Sequence, residues 1–167
     1  NGTNTNKTMA KFDAMTVEAG FDTAISFTAY VDKTSTFNEY FEVVKNEFYR
    51  YHQLFDKYNN YEGINNLKTI NDKAGIEPVE VDPVMIEMLL LSRKYYDISK
   101  GVFDITLGPV LKVWHEYREE GELLNQQGLD GKVPSQEELE EANKCVGWDF
   151  VEIDETKNTV FLNNACS

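Results

Sequence analysis

Between Gly101 and Trp114 the chain reads GVFDITLGPVLKVW. This segment holds an aromatic–acid pair (Phe103, Asp104), a hydroxyl (Thr106), a glycine–proline step (Gly108, Pro109) and an indole (Trp114). Such residues can gather backbone N–H groups, a carboxylate and an aromatic face around one ligand. The Gly-Pro step suits a sharp turn of the backbone. The plainer alternative is a helix–loop–helix corner with Phe103 and Trp114 in the core, the commoner fate of aromatics. No other chemistry is spelled out as clearly. The chain has no P-loop, GxGxxG, HExxH or GxSxG motif, and no His, Cys or Ser in a nucleophile arrangement. Its many carboxylates are weak grounds for a catalytic pair in so acidic a protein.

The elements that must position this segment are legible on both sides of it. Asp82-Pro83 predicts a helix start, with Asp as N-cap and Pro in the first turn. Met85, Met88, Leu89, Tyr95 and Tyr96 form the apolar surface of that helix. A stop is expected at Lys100-Gly101, with the glycine ending the last turn. Upstream, Thr23–Val31 alternates as a half-buried strand, with Ile25, Phe27, Ala29 and Val31 on one face. Phe37–Tyr58 repeats Phe37, Phe41, Val44, Phe48, Tyr51 and Phe55 at helical spacing, with Thr36 as its N-cap. His52 reads as a partly exposed residue of that helix. Asn59–Gly75 is rich in Asn and bounded by Gly, so it predicts an irregular loop with about one helical turn. Tyr58 and Tyr61 could stack on a planar ligand there. Leu67 and Ile70 are equally able to pin an ordinary loop to the core. Downstream, Ser135 and Glu138 have capping-box spacing. Phe150–Ile153 and Thr159–Leu162 alternate around Asp154–Asn158 as a β-hairpin.

Composition bounds the reading. Of 167 residues, 41% are hydrophobic and 13% aromatic, which supports one globular domain with a real core. The formal net charge of -13 argues against nucleic acid and against docking on anionic lipid. No apolar run is long enough to span a bilayer. The two cysteines, Cys145 and Cys166, make no zinc spacing with His52 or His115. Their pairing as a disulfide is left open by the sequence. Residues 1–15 read as a polar linker and residues 16–167 as the folded part.

Several segments together resemble the ApbE family, the FAD:protein FMN transferases. They are Phe21-Asp22-Thr23, the loop YEGINNLKTIN at Tyr61–Asn71, GVFDITLGP with its trailing Trp114, and VGWDFVEID at Val146–Asp154. Their order and spacing follow that family along nearly the whole chain. The resemblance implies an α+β fold, an antiparallel sheet with packed helices, truncated relative to the family's full fold. It implies that FAD is the substrate and Mg²⁺ the metal. The FMN half of FAD moves onto a Thr of an acceptor flavoprotein, and AMP is released. Val102, Phe103 and Asp104 then line the FAD pocket, with Thr106, Gly108 and Pro109 shaping the same wall. Tyr61 stands about where the family stacks an aromatic on the isoalloxazine. Phe21-Asp22-Thr23 matches a pocket segment that more often reads Met-Gly-Thr.

The resemblance also carries an expected absence. The family's glycine-rich DxGGIAKG segment, and the carboxylate and hydroxyl that hold the metal, have no counterpart here. The chain is therefore expected to be the amino-terminal half of the transferase, inactive alone, with no catalytic or metal-binding residue of its own. Membrane association is expected only through a lipid anchor upstream, as an extracytoplasmic bacterial lipoprotein. The alternatives are a non-catalytic flavin-binding module or a surface interaction domain.

Overall fold

Alternation builds the first part of the chain. β1 (Ala10–Thr16) and β2 (Ile25–Val31) pair antiparallel, with Ala10 opposite Val31 and Thr16 opposite Ile25. Every second residue, Phe12, Ala14, Ile25, Phe27, Ala29 and Val31 among them, turns away from solvent. α1 (Thr34–Phe55) packs on this hairpin. Four phenyl rings make the seam. Phe37 stacks on Phe12 at 5.6 Å and on Phe27 at 5.5 Å, and Phe41 joins both Phe27 and Phe37. The computed structural model describes residues 8–164. They fall into two compact units, Asn1–Asp56 and Lys57–Ser167.

Two expectations change in the first unit. Residues 10–15, expected as linker, form most of β1. The strand shows only small or single apolar residues on its inner face, and gains its sense from pairing with β2. The N-cap of α1 is Lys33, not Thr36. Thr36 lies inside the first turn, where its hydroxyl donates to Asp32 Oδ1 at 3.3 Å.

The second unit holds a three-stranded antiparallel sheet in the order β3-β5-β4. β3 is Val79–Glu80, β4 Val151–Asp154 and β5 Thr159–Leu162. The expected β4–β5 hairpin is present. Asp154 Oδ1 closes its turn by accepting from Thr156 and from the Lys157 amide, and this holds the Asp154 carboxyl below its ordinary pKa. α3 (Pro83–Ser99) begins at Asp82, whose carboxylate accepts the Val84 N–H at 3.0 Å. Met85, Ile86 and Leu89 of α3 are buried, as is Val160 of the sheet.

The Asn-rich loop is more ordered than its composition predicts. It contains α2 (Leu67–Asp72), capped by Asn66, a side chain with no exposed surface. Asn66 Oδ1 accepts from the Thr69 amide, and its Nδ2 donates to Asn59 O at 2.8 Å. α4 (Gly108–Gln126) and α5 (Gln136–Asn143) complete the unit. α5 opens with the expected Ser135–Glu138 capping box, and Tyr117 of α4 donates to Glu138 at 2.9 Å. The sheets and packed helices make the fold α+β, as expected. Among the described residues, no helix is long and apolar enough to cross a membrane. Cys145 is disulfide-bonded, and Cys166 lies outside the described residues.

Candidate functional site

The end of α3 delivers the GVFDITLGP segment. Lys100 takes the left-handed backbone at φ 56°, and Gly101 follows at 84°. Gly101 N–H reaches Tyr96 O at 2.9 Å and Lys100 N–H reaches Asp97 O at 3.2 Å. This is the paired C-terminal closure of a Schellman motif. The left-handed position is thus Lys100, one residue ahead of the glycine expected to take it.

Beyond the stop, each residue is fixed by a neighbour. The Phe103 amide donates to Ser99 Oγ at 2.9 Å, and its ring meets Tyr95 edge-on at 6.1 Å. Asp104 caps the short 3-10 turn Ile105–Leu107. Its Oδ1 accepts both the Thr106 amide at 2.8 Å and the Thr106 hydroxyl at 2.7 Å. Thr106 Oγ1 in turn accepts the Gly147 N–H at 2.9 Å. Thr106 therefore ties GVFDITLGP to VGWDFVEID across 41 residues of sequence. Gly147 sits at φ 142°, a backbone that favours glycine, and this aims its amide at Thr106.

The sharp Gly-Pro corner is absent. Gly108 is helical, at φ -44° and ψ -50°, and Gly108-Pro109 form the first turn of α4. Proline fits there because a first-turn N–H has no helical partner to lose. Nor are Phe103 and Trp114 core residues, since each is 45% exposed. Val102 is 86% exposed. Val102, Phe103 and Ile105 are an exposed apolar ledge in the chain, and Asp104 and Thr106 between and beside them are half-buried and bonded to each other. Tyr61 belongs to the same unit and closes a small bridge around Gly63, accepting the Ile64 N–H at 3.1 Å.

The sequence reading misses two contacts, one in each unit. Trp148 is buried with its indole edge-on to Tyr96 at 6.3 Å, and the Arg93 guanidinium lies over it at 5.9 Å. In the first unit, His52 Nδ1 accepts the Phe21 N–H at 3.1 Å. No spacing rule joins residues 31 positions apart, so only the fold brings that pair together. Among the described residues, no group of three His, Cys, Asp or Glu side chains is placed to hold a metal. A shallow groove of about 380 Å³ lies on the hairpin, lined by Asp13, Met15, Ser26 and Thr28 among others. It is open, and none of the sequence-predicted site residues lines it.

The chemistry available is that of a binding surface: apolar and aromatic contact, held in place by an acid–hydroxyl–amide bridge. The fold is of the antiparallel α+β class. Within that class, the model of the ApbE family matches residues 21–166, and the chain belongs to that family. It is 28% identical over 112 residues to the FAD:protein FMN transferase of Chlamydia muridarum, and 26% identical over 114 to that of Chlamydia pneumoniae. Those matches cover 65% and 68% of this chain but 32% and 33% of the relatives. The fold is similar to the crystal structure of the ApbE protein from Thermotoga maritima, with a TM-score of 0.70 and 24% identity over 93% of this chain. It is also similar to the apo flavinyl transferase ApbE of Pseudomonas stutzeri, with a TM-score of 0.62 and 17% identity over 94% of this chain. The chain spans 46% and 45% of those two solved chains, and about a third of the curated relatives.

Proposed function

We propose that this chain supplies part of the flavin-binding wall of an FAD:protein FMN transferase. The reaction is attack of an acceptor Thr hydroxyl on the FMN phosphorus. The pyrophosphate P–O bond breaks, AMP leaves, and the hydroxyl proton is lost. One observation carries the site assignment. The Thr106 bridge joins two segments of the family resemblance, so the ledge of Val102 and Phe103 is held rather than left as loose loop.

The residues fit a flavin. Phe103 and Val102 offer apolar surface to a planar ring, and Tyr61 offers an aromatic from the same unit. The Asp104–Thr106 bond fixes the backbone of the ledge, and Gly108-Pro109 follow it in the chain as the first turn of α4. The residues do not fit Mg²⁺, given the lack of a clustered donor set among those described. No step through a metal is assigned to them. We propose that sequence outside these 167 residues provides it, consistent with the share of the relatives that this chain spans.

The test uses the transferase extended to the full length of its relatives, with FAD, Mg²⁺ and an acceptor flavoprotein. Asp104→Ala removes the cap and should lower FMN transfer by about tenfold or more, the cost of misplacing a positioning group. Asp104→Asn keeps the accepting oxygen and should retain most activity. Full activity in the alanine variant, read as covalent flavin on the acceptor, would overturn the assignment.

A further inference from the structure

Along α3, Val84, Met88, Leu91, Tyr95 and Ile98 follow one another at spacings of four, three, four and three. That is the 3.5-residue repeat of a and d positions in a coiled coil, held over two heptads. A helix that covers only its own core turns apolar residues inward and polar ones outward. α3 has that inward stripe, with Met85, Ile86 and Leu89 buried, and carries the heptad stripe as a second one. Val84 and Met88 are half-buried, and Leu91, Tyr95 and Ile98 are more than half exposed. Among the described residues, only the inner stripe is covered.

The charges beside the outer stripe indicate what fits on it. Glu87 and Lys94 stand one heptad apart, each just ahead of an a position, and both are exposed. Seven residues of helix separate them by about 10 Å along the axis, too far for a bond to each other. Among the described residues, neither has an ion-pair partner. In an antiparallel pair of such helices, these flanking positions meet across the seam. Two registers lay a against d there. One sets Lys94 beside Lys94 of the second helix. The other sets Glu87 beside Lys94 twice, with Met88 against Leu91 and Val84 against Tyr95. α3 also holds Glu87 and Asp97 against Arg93 and Lys94, so it is neutral in a chain of net charge -13. A basic partner finds no excess of acid on it, whereas a second α3 meets no local repulsion.

We propose that α3 is a self-association surface, on which a second copy of this chain docks antiparallel through Val84, Met88, Leu91 and Tyr95, with Glu87 paired to Lys94. Val102 and Phe103 lie past the overlap. The ledge assigned to flavin stays open, and the two readings stand or fall separately. One short helix pair buries less than the roughly 1,200 Å² of a stable dimer, so half-association is expected on the order of 100 μM.

Sedimentation equilibrium of the 167-residue chain reads this directly. The average mass should climb from that of one chain toward that of two between about 10 μM and about 1 mM. Glu87→Lys and Lys94→Glu, each alone, set like charges together and should weaken association about tenfold. An equimolar mixture of the two variants should recover it, because each mixed pair opposes Lys to Glu at both contacts. Leu91→Glu should stay monomeric throughout. Both charge positions are exposed, so circular dichroism should show all of these chains folded. A wild-type mass of one chain up to about 1 mM overturns the proposal. Association that the single charge variants leave unchanged overturns it, as does a mixture no stronger than its components, since the contact then lies elsewhere. A monomer in which Leu91 becomes protected only in the extended transferase gives the stripe to further sequence and overturns it as well.

Discussion

Thr106 is a small residue with a large share of the site's order. A hydroxyl has one proton and two lone pairs. The proton goes to Asp104 Oδ1, and one lone pair takes the Gly147 N–H. Removing the hydroxyl takes the acceptor from the Gly147 N–H and leaves Asp104 Oδ1 only the Thr106 amide. Both Thr106 and Asp104 are half-buried, so water recovers only part of the loss. Thr106→Val should cost about 1–3 kcal/mol in urea unfolding, the usual penalty for orphaned polar groups. Thr106→Ser keeps both bonds and should cost a fraction of that. Equal stability of wild type and the valine variant would show that the bridge is idle. The same logic separates alanine from asparagine at Asp104, because what matters there is an oxygen that accepts, not its charge.

At the scale of elements, the β1–β2 hairpin depends on a cross-strand pair. Asp13 and Thr28 are register partners, and the Thr28 hydroxyl donates to Asp13 Oδ1 at 2.7 Å. That bond, with a smaller contribution from Lys11, holds the Asp13 carboxyl below its ordinary pKa. A carboxyl lowered on folding stabilises the fold above its unfolded pKa, near 4, and the contribution is lost as pH falls through the folded value. The hairpin should therefore weaken in acid below about pH 4. Thr28→Val should move the Asp13 titration midpoint, read by NMR, back toward the ordinary range. A midpoint that ignores the substitution would refute the pairing. Local signals made other elements readable in advance. Asp82-Pro83, the Ser135–Glu138 box and the Asp154–Asn158 turn each complete their bonding within four residues or fewer of chain. What stayed illegible depends on partners far along the chain. β1 makes sense only against β2, His52 only against Phe21, and Thr106 only against Gly147. The Gly-Pro step misled for a related reason: both residues suit a turn and a helix start alike, and Asp104 decides by capping the 3-10 turn just before it.

For the whole molecule, the surface raises a question that the core does not. Leu91, Tyr95, Ile98 and Val102 recur at spacings of four and three along α3 and past its end, and each is at least half exposed. With Phe103 and Ile105 they make one apolar strip beside the site. Strips of this kind on a folded protein mark contact surfaces or association hazards. A net charge of -13 offsets the hazard by mutual repulsion. Exposed apolar surface binds hydrophobic dyes, so this chain should take up such a dye while fully folded. Ile98→Glu should lower dye uptake and raise solubility. It should leave the unfolding free energy within about 0.5 kcal/mol, because an exposed residue gives up little burial when replaced. A loss of several kcal/mol would mean that Ile98 is packed in the folded chain, and the strip would then be core rather than surface.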